Sequence, residues 1–512
     1  MGGFLGVGSG HFTIGVEGYS MQGSVFIPCS PQACHEVPQI NYFVCPVNHS
    51  SATLCRFAPE GGPACSFPNH ADGARDGNDS DPVFRGLPPN GVSIKMKRTF
   101  LKAGVLNFSE AVRDPVHGMI RLERCDLDIV DSAPVQRLRN IRQLGLTDRV
   151  YPGACHSRFE HALGTMEVTT RLVEEMKSRL GLDELLRSLG SPVSEQSYVN
   201  LLRISRMVAL LHDLGHPPFS HVTERLLPRG MHEEMSLALL EHPQIRNGLK
   251  SLGEEIWQSV VQVMDPALED LPSHLRFIRS LVCGEFGSDR MDYLLRDAHH
   301  VGVEYGAFDL PRIQHTLRPL ETDQGVQLGI EHGGLLAAEG LQWARFSMFT
   351  QVYFHRTRRI LDLHLVDFLV RTLEQRRYPE EPDEYLRWDD IRVLQMLREA
   401  DLDPSHPAHA AARRIIRRQQ HRPLPEVVEG EDVEDVADRL AARVREIRDH
   451  EPLKDPVADV VSPPPALSRG GDLPVLLENG EIRRLSQLSS LVGRLRVKPH
   501  GRIYCAQVAV QQ

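Results

Sequence analysis

The run ALLHDLGHPPFSH, residues 209–221, constrains this chain more than any other stretch. Leu210, Leu211 and Leu214 mark the end of an apolar helical segment, yet His212 and Asp213 sit among them. An imidazole and a carboxylate are costly to place beside leucines unless something offsets their desolvation, and a metal ion does so. Gly215 and the Pro217-Pro218 pair end the helix just beyond. The dipeptide is therefore expected on a last helical turn with open space ahead, where an ion could reach a substrate.

At 512 residues and 41% hydrophobic content, the chain can fill one large domain or two to three ordinary ones. No apolar run of about 18 residues occurs, so no membrane span is expected. The start, MGGFLGVGSGHF, lacks the charge and apolar core of a signal peptide, which makes a cytoplasmic location the expectation. A formal net charge of −10 speaks against coating of nucleic acid, which needs a basic surface. Nucleic-acid binding is accordingly not expected as a main role, and a phosphorylated substrate would need a local basic cluster. The nine cysteines follow no zinc or redox spacing and read as reduced thiols.

Residues 1–95 are rich in Gly, Pro, Ser, Asn and Cys and show no helical or strand periodicity. They are expected to be a disordered tail or a non-native extension preceding a protein that begins at Met96. From Asp114 the spacing turns helical. Ser157-Arg-Phe-Glu160 has the form of a capping box opening a helix through Met176. Further helices are predicted over 200–213, 232–241, 253–264, 272–282, 288–298 and, as one element, Gly334 to about Arg377. Charged helices are expected over Asp389–Ala400 and Val433–Asp449, separated by the Pro-containing break His406–Pro425. The resulting division is a core over 96–380, a helical region over 381–455, a linker over 456–473 and a small β-rich appendage over 474–512 with an Asn-Gly turn.

Six of the 24 histidines lie between residues 156 and 232. Their order matters more than their density: a histidine near the start of one helix, the His212-Asp213 pair ending another, and Asp289 with Asp292 opening a third. Two histidines and two carboxylates form a mixed nitrogen and oxygen set suited to Zn, Fe, Mn or Co rather than Ca. Such an ion acidifies a bound water and polarises a phosphoryl oxygen.

HSRFEHALG (156–164), LLHDLGHPPFSH (210–221) and GSDRMDYLLRDAHHVG (287–302) resemble the three signatures of the HD-domain superfamily, and specifically its deoxynucleoside triphosphate triphosphohydrolases. DPVHGMIRL (114–122) and QRLRNIRQLGLTDRVYPGACHSRFEHALG (136–164) look like that family's substrate-side sequence. The likeness covers about 114–375. It implies a mainly α fold, an HD-domain helical bundle with a small α/β C-terminal appendage.

Carried over motif by motif, the resemblance implies His161, His212, Asp213 and Asp289 as metal ligands. It implies His216, His221, Glu224 and His232 as the groups that position the attacking water and protonate the leaving group. Arg158, Arg290 and Arg345 match phosphate contacts, a role that suits a forked guanidinium. Gln143 and Leu144 match residues packing on deoxyribose, Tyr353 one that crowds the 2′ position, and Tyr293 and Asp297 contacts to phosphate and 3′-hydroxyl. Phe354 stands where the family has Gln, which leaves the preferred base open. Asp131, Gln136 and Arg139 match positions that recognise a guanine nucleotide activator, GTP or dGTP, between subunits; a salt-bridged helix end is the alternative.

The implied activity is hydrolysis of a dNTP to deoxynucleoside and inorganic triphosphate. A divalent transition metal would sit at the His/Asp site and Mg would accompany the triphosphate, in a homo-oligomer, dimer or tetramer. Two alternatives stay open: another phosphohydrolase of the superfamily, nucleotidase or phosphodiesterase, and a non-catalytic nucleotide-sensing assembly. The complete set of ligand-type residues speaks against the last.

Overall fold

The computed structural model divides into two units, Met1–Met96 and Lys97–Gln512, and describes residues 106–228, 230–464 and 472–507 together with four short strands earlier in the chain. In the first unit Gly10–Val16 pairs antiparallel with Tyr19–Val25, and Phe43–Cys45 with Thr53–Cys55. These ladders fall where composition predicted no regular element. The other expectations for residues 1–95 lie outside the described residues.

Arg158–Leu180 organises the second unit. Phe159, Ala162, Leu163, Met166, Leu172, Val173 and Met176 are all buried, and so are Thr165, Thr169 and Thr170 between them. A helix buried around most of its circumference must be packed on several sides. Its neighbours are Glu195–Leu211 and Ser288–Val301, and Glu254–Met264 and Ser273–Cys283 pack in turn on Glu195–Leu211. Gly164 permits the closest approach: a Cβ there would lie 2.0 Å from Asp292 Oδ1. The bundle is mainly α, as expected, and the first, second and third signature segments meet at one end of it.

Several local expectations are corrected. Ser157 caps no backbone amide; its hydroxyl donates to Glu160 Oε1 at 3.4 Å. The reason is a competing backbone pairing, an isolated bridge between Arg142 and Ser157 in which the Arg158 N–H donates to the Ile141 carbonyl at 2.8 Å. The helix predicted as one over 334–377 is three pieces: Leu335–Met348, a π-helical turn Phe349–Tyr353, and Arg356–Thr372. His355 restarts the helix by accepting the Thr357 N–H at 3.3 Å. A π turn inserts an extra residue and re-aims side chains, and it often marks a functional site.

The C-terminal region is more regular than expected. The Pro-containing break holds the helix His409–Ile416 and the start of the strand Arg422–Glu429. Pro423 and Pro425 are tolerated because this strand is an edge of the three-stranded sheet that it forms with His500–Cys505 and Val457–Val461. Val457–Val461 lies within the stretch expected to be a linker. Pro474–Leu476 adds parallel to Gly325–Glu331 in a four-stranded sheet. Pro474–Leu476 and Ile482–Arg484 pair across the expected Asn-Gly turn, but the strands of 474–507 are divided between two sheets because Pro474–Leu476 and His500–Cys505 also pair with strands earlier in the chain; residues 508–512 lie outside the described residues. Val433–His450 covers the three-stranded sheet through Val436, Leu440, Val444 and Ile447, which pack with Val428 and Ile503. Among the described residues no helix is long and apolar enough to cross a membrane.

His364, on Arg356–Thr372, packs against His421 just before the strand Arg422–Glu429. Its buried Nε2 accepts the His421 N–H at 3.3 Å, and the two rings meet edge to face at 4.9 Å. Burial, reinforced by His421 and Arg414, pushes its pKa down to about 3. A group held neutral in the fold contributes stability above its unfolded pKa near 6.5 and loses it as pH falls towards 3. Denaturant unfolding is expected to weaken over that window by about 1.4 kcal/mol per pH unit from this group alone. His364→Gln should flatten the slope, and an unchanged slope would refute the assignment.

Candidate active site

His161 lies in the first turn of Arg158–Leu180 and is fully buried. Its Nδ1 is 2.7 Å from Asp292 Oδ2, while its Nε2 faces Asp289 Oδ1 at 3.1 Å and Asp213 Oδ2 at 3.4 Å. His212 follows the last turn of Glu195–Leu211, and its Nδ1–H donates to the Ala209 carbonyl at 2.8 Å. Its Nε2 points to Asp213 Oδ1 at 3.4 Å and Asp289 Oδ1 at 3.6 Å. Neither Nε2 has a hydrogen-bond partner, although both are buried. Ring nitrogens fixed at one side by a carboxylate or carbonyl and left bare at the other are the arrangement of metal-binding histidines.

The electrostatics point the same way. Burial alone would lower the His161 pKa, but Asp213, Asp289 and Asp292 raise it well above the ordinary imidazole value. Burial would raise the Asp289 carboxyl, yet His161 and His212 hold it below the usual carboxylate range. Three carboxylates thus face one buried imidazole, Asp292 on its Nδ1 side and Asp213 and Asp289 on its Nε2 side, and call for positive charge. The mixed His and Asp donors fit a divalent transition metal.

Asp292 is not itself in the converging set. It is fully buried, accepts from Arg296 at 2.8 and 3.0 Å, lies 2.6 Å from His117 Nε2, and fixes the Nδ1 side of His161. The resemblance singled out Asp289 of this acidic pair; the role of Asp292 beside His161 Nδ1 comes from the structure.

Beyond His212 the chain turns sharply. Gly215 packs so tightly that a Cβ would lie 2.3 Å from the Ser236 nitrogen and 2.4 Å from the His232 carbonyl. This contact brings the segment 212–216 against His232–Leu240 and stacks His216 on His232 at 3.8 Å between ring centroids. His216 is fully buried with both ring nitrogens unpartnered, and burial, Arg158 and His232 keep its pKa well below the usual value. Glu224 joins two further histidines: it accepts from His221 Nδ1 at 2.9 Å and from His232 Nδ1. A carboxylate only accepts, so both rings carry their proton on Nδ1. One nitrogen from each of His216, His221 and His232 lies within 4.8 Å of the others.

The loop between these groups is held in an uncommon conformation, with Phe219 at φ 61° and Ser220 at φ 57°. Asp390, from the C-terminal helix Asp390–Leu402, holds it. Its Oδ1 accepts the Phe219 N–H at 2.6 Å and its Oδ2 the Arg142 N–H at 2.9 Å. Burial pushes its pKa up to about 7 despite those two bonds. No local motif announces Asp390, which lies 171 residues from Phe219.

The arginines are placed unequally. Arg158 is buried and ion-paired to Asp213, and its Nε donates to Ser220 Oγ at 2.9 Å, so it braces a member of the converging set. Arg290 donates to the Cys283 and Gly284 carbonyls, each at 2.7 Å. Arg345 is ion-paired to Glu285. Gln143 and Leu144 are buried, with Gln143 Oε1 unpartnered. The Tyr353 hydroxyl donates to Asp297 Oδ2 at 2.6 Å, and Asp297 Oδ1 is 2.7 Å from His156 Nε2. Tyr293 lies between His161 and Tyr353, 6.5 Å from each ring. Elsewhere, Arg139 donates to Gln136 at 2.7 Å and covers the Phe159 ring at 3.6 Å; Gln136 donates to the Val130 carbonyl at 2.8 Å; Asp131 is exposed at the end of Arg124–Val130.

Comparison with known proteins agrees with this geometry. Residues 158–281 match the HD domain and residues 308–502 the HD associated region. A solved structure of a hypothetical protein from Aquifex aeolicus is similar, with 33% identity and a TM-score of 0.62 over 78% of this chain and 96% of that one. An uncharacterized protein of Methanocaldococcus jannaschii is 34% identical over 56% of this chain and 55% of its own length. The deoxynucleoside triphosphate triphosphohydrolase SAMHD1 of Homo sapiens is 28% identical over 51% of this chain and 44% of its own. The chain spans about half the length of the curated relatives it matches. It belongs to the HD-domain family of phosphohydrolases, whose members bind divalent metals.

Asp390→Ala removes two backbone-to-carboxyl bonds, one of them fully buried. It is expected to lower stability by about 2–4 kcal/mol in chemical denaturation and to loosen the loop that carries His216 and His221. Wild-type stability with an unchanged loop would show that Asp390 does not hold it.

Proposed function

We propose that this protein hydrolyses a deoxynucleoside triphosphate to deoxynucleoside and inorganic triphosphate in a metal-dependent reaction. The observation that carries this reading is the set of two bare histidine nitrogens facing Asp213 and Asp289, flanked by the His221–Glu224–His232 relay. His161, His212, Asp213 and Asp289 would hold a divalent transition metal, Mn, Fe, Zn or Co. When bound, that ion supplies Lewis acidity towards a phosphoryl oxygen and lowers the pKa of water. Mg would accompany the triphosphate.

The remaining chemistry belongs to the chain. Glu224 keeps the Nδ1 of His221 and His232 protonated, leaving Nε2 of each to take a proton from the attacking water or to return one to the departing 5′-oxygen. Water adds to the α-phosphorus, the bond to the 5′-oxygen breaks, and the proton ends on that oxygen. His216, buried and neutral beside Asp213 Oδ1 at 3.3 Å, orients the reacting groups. Arg158, Arg290 and Arg345 would bind the phosphate chain, with Arg158 also fixing Asp213.

For the sugar, the Asp297 and His156 contacts lock Tyr353 so that its ring crowds a 2′-hydroxyl, with Gln143, Leu144 and Tyr293 completing the wall. A guanine nucleotide at Asp131, Gln136 and Arg139, acting across a homo-oligomer, is part of the same reading.

The test is a panel of dNTPs and rNTPs with Mn or Mg and product analysis. Inorganic triphosphate from dNTPs is expected; release of monophosphate or cleavage of diesters alone would favour another phosphohydrolase, and binding without turnover a sensor. Tyr353→Ala should raise relative rNTP turnover by about tenfold or more, since one misfit hydroxyl is worth about 1–3 kcal/mol. An unchanged ribo-to-deoxy ratio would remove Tyr353 from the sugar gate.

A further inference from the structure

Glu285 has no role in the chemistry described above, yet it lies against two of its arginines. It sits in the short turn Gly284–Gly287 between Ser273–Cys283 and Ser288–Val301. Its Oε2 is ion-paired to Arg345, and its Oε1 is 3.6 Å from Arg290. The Nε atoms of both arginines are buried without a partner.

The exposure of the two partners sets this pair apart. Among the described residues, the other buried guanidinium groups with ion pairs meet buried carboxylates, Arg158–Asp213 at 4% and 5%, Arg206–Asp126 at 0% and 2% and Arg296–Asp114 at 0% and 4%. For Arg345–Glu285 the values are 3% and 39%. A buried guanidinium without an anion carries a large desolvation penalty. A half-exposed carboxylate offsets that penalty and can still swing away into water. Forked guanidinium groups bind phosphate and carboxylate in the same geometry, so the two anions compete.

We propose that Glu285 is a tethered competitor for the phosphate chain, occupying the guanidinium groups of Arg345 and Arg290 until a polyphosphate displaces it. The inference rests on the reading that this site takes a phosphate chain. Being tethered, the carboxylate acts at high effective concentration, so a weakly held anion loses to it and a chain with several contacts wins. Glu285 therefore sets an affinity threshold for entry.

Glu285→Gln keeps the shape and removes the charge. Inorganic tripolyphosphate, titrated by calorimetry into the metal-loaded protein, should bind about three- to tenfold more tightly than to wild type, the range of a partly exposed ion pair. The KM for the dNTP should fall by a similar factor without a matching change in kcat. Glu285→Asp should return towards wild-type affinity. Arg345→Gln should weaken binding and erase most of the gain when combined with Glu285→Gln. Glu285→Ala serves as a second charge-removing variant if the Gln form unfolds.

Unchanged or weaker tripolyphosphate binding in both charge-removing variants overturns the proposal, as does absence of binding to every form. Turnover is read separately: tighter tripolyphosphate binding without dNTP hydrolysis supports the competitor and sinks the proposed activity. Normal hydrolysis without tightening does the reverse.

Discussion

One fully buried imidazole facing three carboxylates is the constraint around which this protein is arranged. His161 cannot be placed among Asp213, Asp289 and Asp292 without positive charge and ordered donors, and the surrounding elements supply both. Arg296 and His117 satisfy Asp292, and Arg158 satisfies Asp213. What stays uncompensated is the small volume between His161 Nε2, His212 Nε2 and the two remaining carboxylates, which is where a cation fits. Close packing makes this possible: Gly164 lets Arg158–Leu180 and Ser288–Val301 approach until Asp292 touches the helix that carries His161.

The same end of the bundle also depends on the C-terminal region. Asp390 fixes the Phe219 amide, Tyr385 donates to the Gly215 carbonyl at 2.7 Å, and Arg137 joins the Trp388 and His216 carbonyls at 2.8 and 3.0 Å. These contacts tie the segment after His212 to residues 170 and 171 positions away. The region after the bundle is therefore part of how the histidine cluster is held, and a change on Asp390–Leu402 has a direct route to His216 and His221.

Much of this was legible in the sequence because helical periodicity and the spacing of His161, His212, Asp213 and Asp289 are local signals. The helices expected between residues 157 and 300 fall within about five residues of their limits, whereas Leu182–Ser188 and Pro243–Leu252 were not foreseen and the strand Gly118–Glu123 replaces expected helical spacing. What stayed hidden depends on partners remote in the chain. The π turn at Phe349–Tyr353 interrupts an unbroken apolar pattern, and nothing local shows that Tyr353 must reach Asp297. The strands after residue 456 are short, and two of them also pair with strands before it, Pro474–Leu476 with Gly325–Glu331 and His500–Cys505 with Arg422–Glu429. Arg158 was expected at phosphate because its motif suggests it; its burial against Asp213 shows an additional, bracing role. Asp390 and Glu285 carry no motif at all and emerge only from the fold.

The central claim is that the His161 and His212 nitrogens with Asp213 and Asp289 hold a catalytic metal. Its most direct test is to strip the protein with a chelator and titrate Mn back while following bound metal and triphosphate release from a dNTP, with Asp213→Asn in parallel. Hydrolysis is expected to vanish on stripping and to return as about one ion per chain binds, with Asp213→Asn neither retaining the metal nor recovering activity. Undiminished hydrolysis by the stripped protein, or full metal binding and turnover by Asp213→Asn, would contradict it.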